Sequence, residues 1–244
     1  MRTMTIGMFA LLTMMPVAAS AQDAGVKGQV SLTLRGGLEP HLSGDVHDGG
    51  TGRVLNLPTI VEARSWRDVY DSVFRGGGGL GYGVTENLEV IGNASFGRGS
   101  ADELQVGTVA GLVLNAQFAD YEDLSFEGGL RYHFAPNDTI NPYVNVVGGL
   151  RRVSAIPATL TVPAAGVTLA DTPFYDDSTV GLFGGDIGVA FTVRPNVSLG
   201  AEAGLRWQGA LKGLEGLAGT GLENINDVGQ RWSLPVSAVL TFRF

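Results

Sequence analysis

The 244-residue chain has no cysteine, so no disulfide holds the fold together. It lacks any excess of positive charge: 16 Lys and Arg stand against 24 Asp and Glu, a formal charge of −8, which argues against a nucleic-acid partner. Past the first 21 residues no stretch approaches the roughly 20 apolar residues that a spanning helix needs. No P-loop, dinucleotide fingerprint, Cys-x-x-Cys or His-Glu-x-x-His occurs, and nothing points to a metal or a cofactor. What the chain does have is glycine, 37 residues of it, placed inside the alternating apolar segments rather than between them.

The start reads as a secretory signal peptide over residues 1–21. Met1-Arg2 is basic, Thr5 to Val17 is uncharged and apolar but too short to span a bilayer, and Ala19-Ser20-Ala21 is a small-x-small cleavage site. Residues 22–244 are then one domain, and cleavage leaves it slightly more acidic by removing Arg2.

Strict alternation dominates that domain, and a strand sends alternate side chains to opposite faces. The last segment, Arg231 to Phe244, puts Trp232, Leu234, Val236, Ala238, Leu240, Phe242 and Phe244 on one face and Ser233, Ser237, Thr241 and Arg243 on the other. Further strands are predicted over Gly28 to Leu38, Ser72 to Val84, Leu88 to Phe96, Leu124 to Phe134, Asn141 to Val153, Val180 to Val193 and Val197 to Trp207. Short turns at 85–87, 135–141 and 194–197 alternate with long connections at 40–70, 99–123, 154–179 and 209–230. This is the asymmetry of a transmembrane barrel with periplasmic turns and outer loops. The expectation is an all-β, antiparallel, up-and-down barrel of eight strands. Leu104 to Phe118 also alternates, as an outward extension of the fourth strand or as a separate strand. With Val54 to Ala63, which Pro58 weakens, a separate strand would make ten. Ala158 to Ala170 reads as a hairpin around Pro163-Ala164-Ala165-Gly166.

Parity also sorts the charges. Arg35, Glu39, Arg75, Glu89, Glu127, Arg131, Arg151, Asp186, Glu202 and Arg206 all fall on the inward face, and Arg98 and Arg152 share the outward parity only at strand ends. A cation facing lipid at mid-depth costs about 2–4 kcal/mol. Glu127, Asp186 and Glu202 count to mid-height, with Arg35, Arg75, Arg151 and Arg206 nearer the outer mouth. A narrow barrel has room for little else, so these ten residues form a candidate acid–arginine network that fills the lumen. A narrow solute channel is the alternative.

Three stretches carry a family resemblance. Gly81 to Ser100 (GYGVTENLEVIGNASFGRGS) and Gly188 to Gly209 (GVAFTVRPNVSLGAEAGLRWQG) resemble periplasmic-turn hairpins of the OmpA-type outer-membrane barrel family. The alternating strand closing on Phe244 resembles the C-terminal assembly signal of such barrels, with Leu240, Phe242 and Phe244 as its apolar positions. The resemblance implies a Gram-negative outer membrane and docking on the barrel assembly machinery through that strand. Outer-membrane lipids and lipopolysaccharide are then the surrounding partners. The peptidoglycan-binding domain that often follows such barrels is not expected here, since Phe244 closes the sequence, and no tethering role is carried over. His41-Leu42-Ser43 is similar to the His-x-Ser of outer-membrane lipid A deacylases in those two residues alone; its place in the chain and its surroundings differ. Hydrophilic loop chemistry accounts for it better, as a lumen position does for His133. The reading is therefore a non-catalytic barrel of structural or surface-interacting role, with Trp66, Tyr70, Phe174 and Tyr175 as loop aromatics for outside partners.

Overall fold

The computed structural model describes residues 25–54, 56–213 and 219–244, so the signal-peptide assignment lies outside the described residues. Eight antiparallel strands form the body: β1 (Val30–Glu39), β2 (Val73–Gly83), β3 (Leu88–Gly99), β4 (Tyr121–His133), β5 (Ile140–Val153), β6 (Ser178–Arg194), β7 (Val197–Gln208) and β8 (Val236–Arg243). Each pairs with its sequence neighbours, and β8 pairs back onto β1, with Leu34 opposite Leu240, so the sheet closes. No helix among the described residues is long and apolar enough to cross a membrane.

Register fixes the shape of the barrel. Direct pairing leads from Ser31 to Gly81, Ile91, Gly129, Val147, Gly184, Arg206, Ser233 and back to His41. The circuit closes about ten residues further along, a stagger of roughly 33 Å against a girth of roughly 38 Å, so the strands tilt by about 40°. The same circuit explains two additional short strands. His41–Ser43 continues β1 past Pro40, and Arg231–Ser233 precedes β8 across Leu234-Pro235, so the closing strand is interrupted rather than continuous. Proline supplies no ladder N–H at either break. The freed groups find each other: the Leu234 amide donates to the Pro40 carbonyl at 2.9 Å, and the Gly204 amide to the Pro235 carbonyl at 3.0 Å.

The short turns are locally held. Thr85 Oγ1 accepts from the amides of Asn87 (3.3 Å) and Leu88 (3.0 Å), and the Asn87 side chain donates to the His133 carbonyl at 2.7 Å. At the other end the long connections are not polar loops. They fold into a six-stranded antiparallel sheet ordered Val167–Tyr175, Ile156–Val162, Leu112–Phe118, Leu104–Val109, Leu57–Val61 and Gly50–Val54. Leu104 to Phe118 is thus neither a barrel strand nor an extension of one. It is a hairpin of this head, turning at Ala110-Gly111, where both residues have positive φ. Leu57–Val61 belongs to the same sheet and adds no strand to the barrel. The hairpin around Pro163–Ala165 forms as expected, with Gly166 taking the left-handed conformation at its end.

Residues 212–213 and 219–226 meet the two edges of the head sheet. The amides of Arg53 and Asp48 donate to the carbonyls of Thr220 (2.6 Å) and Ile225 (2.7 Å), and Tyr175 bridges to Gly213. The curled sheet encloses an apolar core that includes Val46, Trp66, Tyr70, Phe118, Tyr121, Phe174, Tyr175 and Leu222. Trp66, Tyr70, Phe174 and Tyr175, expected to face outside partners, are buried there, because water outside the head makes its interior the only shelter for large rings.

Candidate functional site

On the barrel wall the outward residues are apolar and uncovered by protein. Leu80, Phe126, Leu130, Phe183 and Ile187 are each about half exposed or more, and no charged side chain stands among them at mid-strand. A belt of this extent is foreign to a soluble surface. Inside, the alternate residues are polar and buried, and they form three linked groups.

The group under the head centres on Glu39. Its carboxylate accepts from Arg151 Nη1 (3.0 Å), Ser233 Oγ (2.5 Å) and Gln208 Nε2 (3.2 Å), and pairs with Arg75. Arg75 also grips Asp123 through Nη1 and Nη2 at 2.8 and 2.6 Å, and Arg151 Nε donates to Ser125 at 2.8 Å. The middle group joins Arg206 to Asp186 (2.8 and 3.0 Å) and to Glu127 (2.9 Å). The third joins Arg131 to Glu202 (3.0 Å) and Asn145 (2.9 Å), with the Tyr143 hydroxyl also on Glu202 at 2.9 Å. Towards the short turns, Glu89 contacts Ser31, meets His133 at 3.0 Å and lies 3.7 Å from Arg131; Asn141 completes the chain at 2.9 Å from His133.

All ten charged residues sorted inward by parity therefore lie in the lumen and pair there. Arg35 is the loosest, 3.8 Å from Glu202, with its Nε and Nη2 unpartnered. Beside it, with the equally unpartnered Asn93 Nδ2, lies a cavity of about 30 Å³, room enough for a water. Sequence reasoning missed Asp123, Tyr143 and Arg231. Asp123 has the parity of Glu127 but falls one residue before the predicted strand start; Arg231 has the parity of Arg243. Extending the strand at Leu124 by one residue would have found Asp123, and Tyr143 and Arg231 already stand at inward positions of predicted strands.

Arg231 is the junction between lumen and head. It donates to Gln208 (Nε, 3.2 Å) and to the Tyr121 hydroxyl (Nη2, 3.2 Å), and its guanidinium lies 4.5 Å from the centre of the Trp66 ring. Trp66 stacks on Tyr70 (5.6 Å) and Tyr175 (6.2 Å). The helical turn that carries it, Trp66–Val69, is set by a capping box: Ser65 accepts from the Asp68 amide while Asp68 accepts from the Ser65 amide at 2.9 Å. Those bonds from Ser65 hold the Asp68 carboxyl below the usual carboxylate range. In the head, burial lowers the basicity of His47 and pushes the Tyr70 and Tyr175 phenols up.

His41 is not a hydrophilic loop residue. It is buried against Trp66 (5.4 Å) and edge-on to Tyr121 (6.3 Å), while Ser43 is exposed and no hydrogen bond joins the two. No group of three or more potential metal ligands converges among the described residues.

A closed barrel with a lipid-compatible belt, a polar interior, short turns at one end and long connections at the other defines a transmembrane β-barrel of the outer-membrane type. The profile of the outer membrane protein beta-barrel domain family matches residues 7–213, and the chain belongs to that family. No curated protein sequence matches. Among solved structures, Neisserial surface protein A is similar at 17% identity over 89% of this chain and 98% of its own (TM-score 0.44). The attachment invasion locus protein Ail of Yersinia pestis is similar at 13% over 89% and 99% (0.42). The outer membrane protease OmpT of Escherichia coli is similar at 8% over 93% and 100% (0.44).

Proposed function

We propose that the chain is a sealed outer-membrane barrel whose folded head is its working surface, with a structural or surface-interacting role rather than a catalytic or solute-conducting one. The observation that carries this reading is the Glu39 group. Two arginines and two carboxylates meet across the bore directly beneath the head core. A solute would have to part buried ion pairs, and breaking one such pair costs about 3–5 kcal/mol. The position of His41, packed against the Trp66 and Tyr121 rings and unbonded to Ser43, favours a packing role over acyl chemistry.

The same reading includes export by a cleaved leader over residues 1–21 and insertion by the barrel assembly machinery through Leu240, Phe242 and Phe244. β8 carries the first two of these on the seam with β1. Lipopolysaccharide would surround the belt and its outer rim, where Arg98 pairs with Asp120 (2.7 Å) and Lys212 with Asp176 (2.6 Å).

Planar-bilayer recording of the refolded protein, with Arg151→Ala beside it, tests the proposal. Silence in the parent with leak in the variant is the expected result. Stable unitary openings in the parent, altered by the variant, would replace the sealed barrel with a narrow selective channel.

A further inference from the structure

At the hairpin ends of the head sheet, exposed apolar side chains surround one opening. Leu57, Leu112, Val167 and Leu169 stand beside these hairpin turns, and all four are exposed. Exposed apolar residues scattered singly need no explanation, but these four converge on one opening. Behind them lies a cavity of about 100 Å³ whose walls include Val109, Leu114, Leu160 and Val162. A second cavity of about 40 Å³ lies deeper, towards His47, Phe118 and Phe174. Val54, Leu114 and Leu160 line both spaces.

The chemistry of the lining is as informative as its size. The hydroxyl of Thr59, on the deeper wall, is already committed, accepting from the Val54 amide (3.2 Å) and donating to the Leu57 carbonyl (3.1 Å). Among the described residues, a guest in the outer space meets aliphatic side chains. Water is poorly held in such a space, whereas an apolar cavity of about 150 Å³ in a protein core stays dry and takes up benzene. Packed interiors close such gaps when nothing occupies them, because empty walls forfeit dispersion contacts.

We propose that the head binds a small hydrocarbon group, benzene-sized or the end of an alkyl chain, which enters between Leu57 and the 109–112 and 162–167 turns and seats against Leu114 and Leu160. This deepens the reading of the head as the working surface, and it is independent of whether the lumen conducts.

The test is methyl NMR of the full protein in lipid nanodiscs, with Leu and Val methyls labelled and toluene as the probe. Toluene also partitions into lipid, so the belt methyls of Leu80 and Leu130 serve as the internal reference. The expected result is a saturable shift at Leu57, Leu114 and Leu160 while the belt shifts linearly. Two variants should abolish the saturable part: Leu114→Phe, which fills the centre, and Ala165→Trp, which lies at an exposed turn and covers the mouth without touching the core. Adding a single-chain lysolipid then separates the sources. Competition with toluene at the same methyls assigns the site to membrane alkyl chains, and no competition assigns it to free apolar molecules. Head and belt methyls titrating alike and linearly, or a saturable shift that survives in both variants, would overturn the proposal. A failure here leaves the bilayer recording unaffected, and a conducting lumen leaves this titration unaffected.

Discussion

Below Arg231 the buried side chains are Glu39, Arg75, Asp123, Arg151 and Arg206; above it they are Trp66, Tyr70, Phe118, Phe174 and Tyr175. The two interiors come from the same alternating pattern. In the barrel, Leu124, Phe126 and Leu130 are exposed to lipid, so the other half of each strand must go inward whatever its polarity. In the head, Leu114, Ala116 and Phe118 have the same even parity and are buried, because the medium outside is water. The solvent decides which face of an alternating strand becomes the core. One region is therefore held by ion pairs and hydrogen bonds, the other by apolar packing, and they should break differently.

The largest effect is expected for Glu39→Ala. The change leaves Arg75 and Arg151 short of a carboxylate inside the bore, a loss of about 3–5 kcal/mol. The unfolding midpoint in denaturant, followed in micelles by barrel-sensitive gel mobility, should fall accordingly. An unchanged midpoint would mean that water already screens the lumen pairs.

Next is Phe118→Ala. Its ring packs edge-on to Phe174 at 5.2 Å, and truncating a buried phenylalanine costs about 3 kcal/mol or more. The loss should be confined to the head: amide exchange and protease nicking should rise in 104–118 and 156–175 while β2 to β5 keep their protection. Acceleration in both regions together would show that head and barrel open as one unit.

Strand existence and eight-strand closure were legible in the sequence, because a period of two runs through the barrel strands, and the inward parity of the ten charged residues follows from the cost of turning a charge to lipid. The head was not legible. Its strands are short, three contain proline (Pro58, Pro157 and Pro173), and its connections carry enough Asp, Gly and Thr to read as loop. Parity gave no warning for Leu104 to Phe118, since even-numbered apolar residues suit a lipid-facing extension and a water-facing hairpin equally. Only the partner strands, Ile156–Val162 and Leu57–Val61, distinguish the two, and those pairings are long-range. Arg231 escaped notice for a related reason. Its role depends on Trp66, which reaches it from a different loop.

A smaller effect tests that junction. In a double-mutant cycle, Arg231→Met and Trp66→Leu should couple by about 1–2 kcal/mol, the scale of a desolvated cation–π contact. Zero coupling would mean that Arg231 serves the lumen through Gln208 alone and that the head rests on the barrel without an energetic link at this point.

The smallest effect is a pH dependence confined to the head. His47 is buried beside Phe118 and Phe174, and its Nδ1 lies 3.2 Å from the Asp48 carbonyl. Burial lowers its pKa most. Arg64 acts in the same sense, while that carbonyl contact and the charges of Asp45 and Asp48 oppose it. The folded head thus holds His47 neutral at a pH where the unfolded chain, with an ordinary value of about 6.5, has begun to take up a proton. Between those two values the unfolded state binds more protons, so stability rises with pH. The contribution is fully present above about pH 6.5 and is lost as pH falls towards the folded value. Exchange of the 112–118 amides, corrected for intrinsic rates, should accelerate a few-fold between pH 7.5 and pH 5 while β4 and β5 stay level. His47→Phe keeps the ring contacts and removes the titration, so it should flatten the head's response. A slope that persists in that variant would assign the pH dependence to another head group, and an equal slope in β4 would place its origin in the lumen instead.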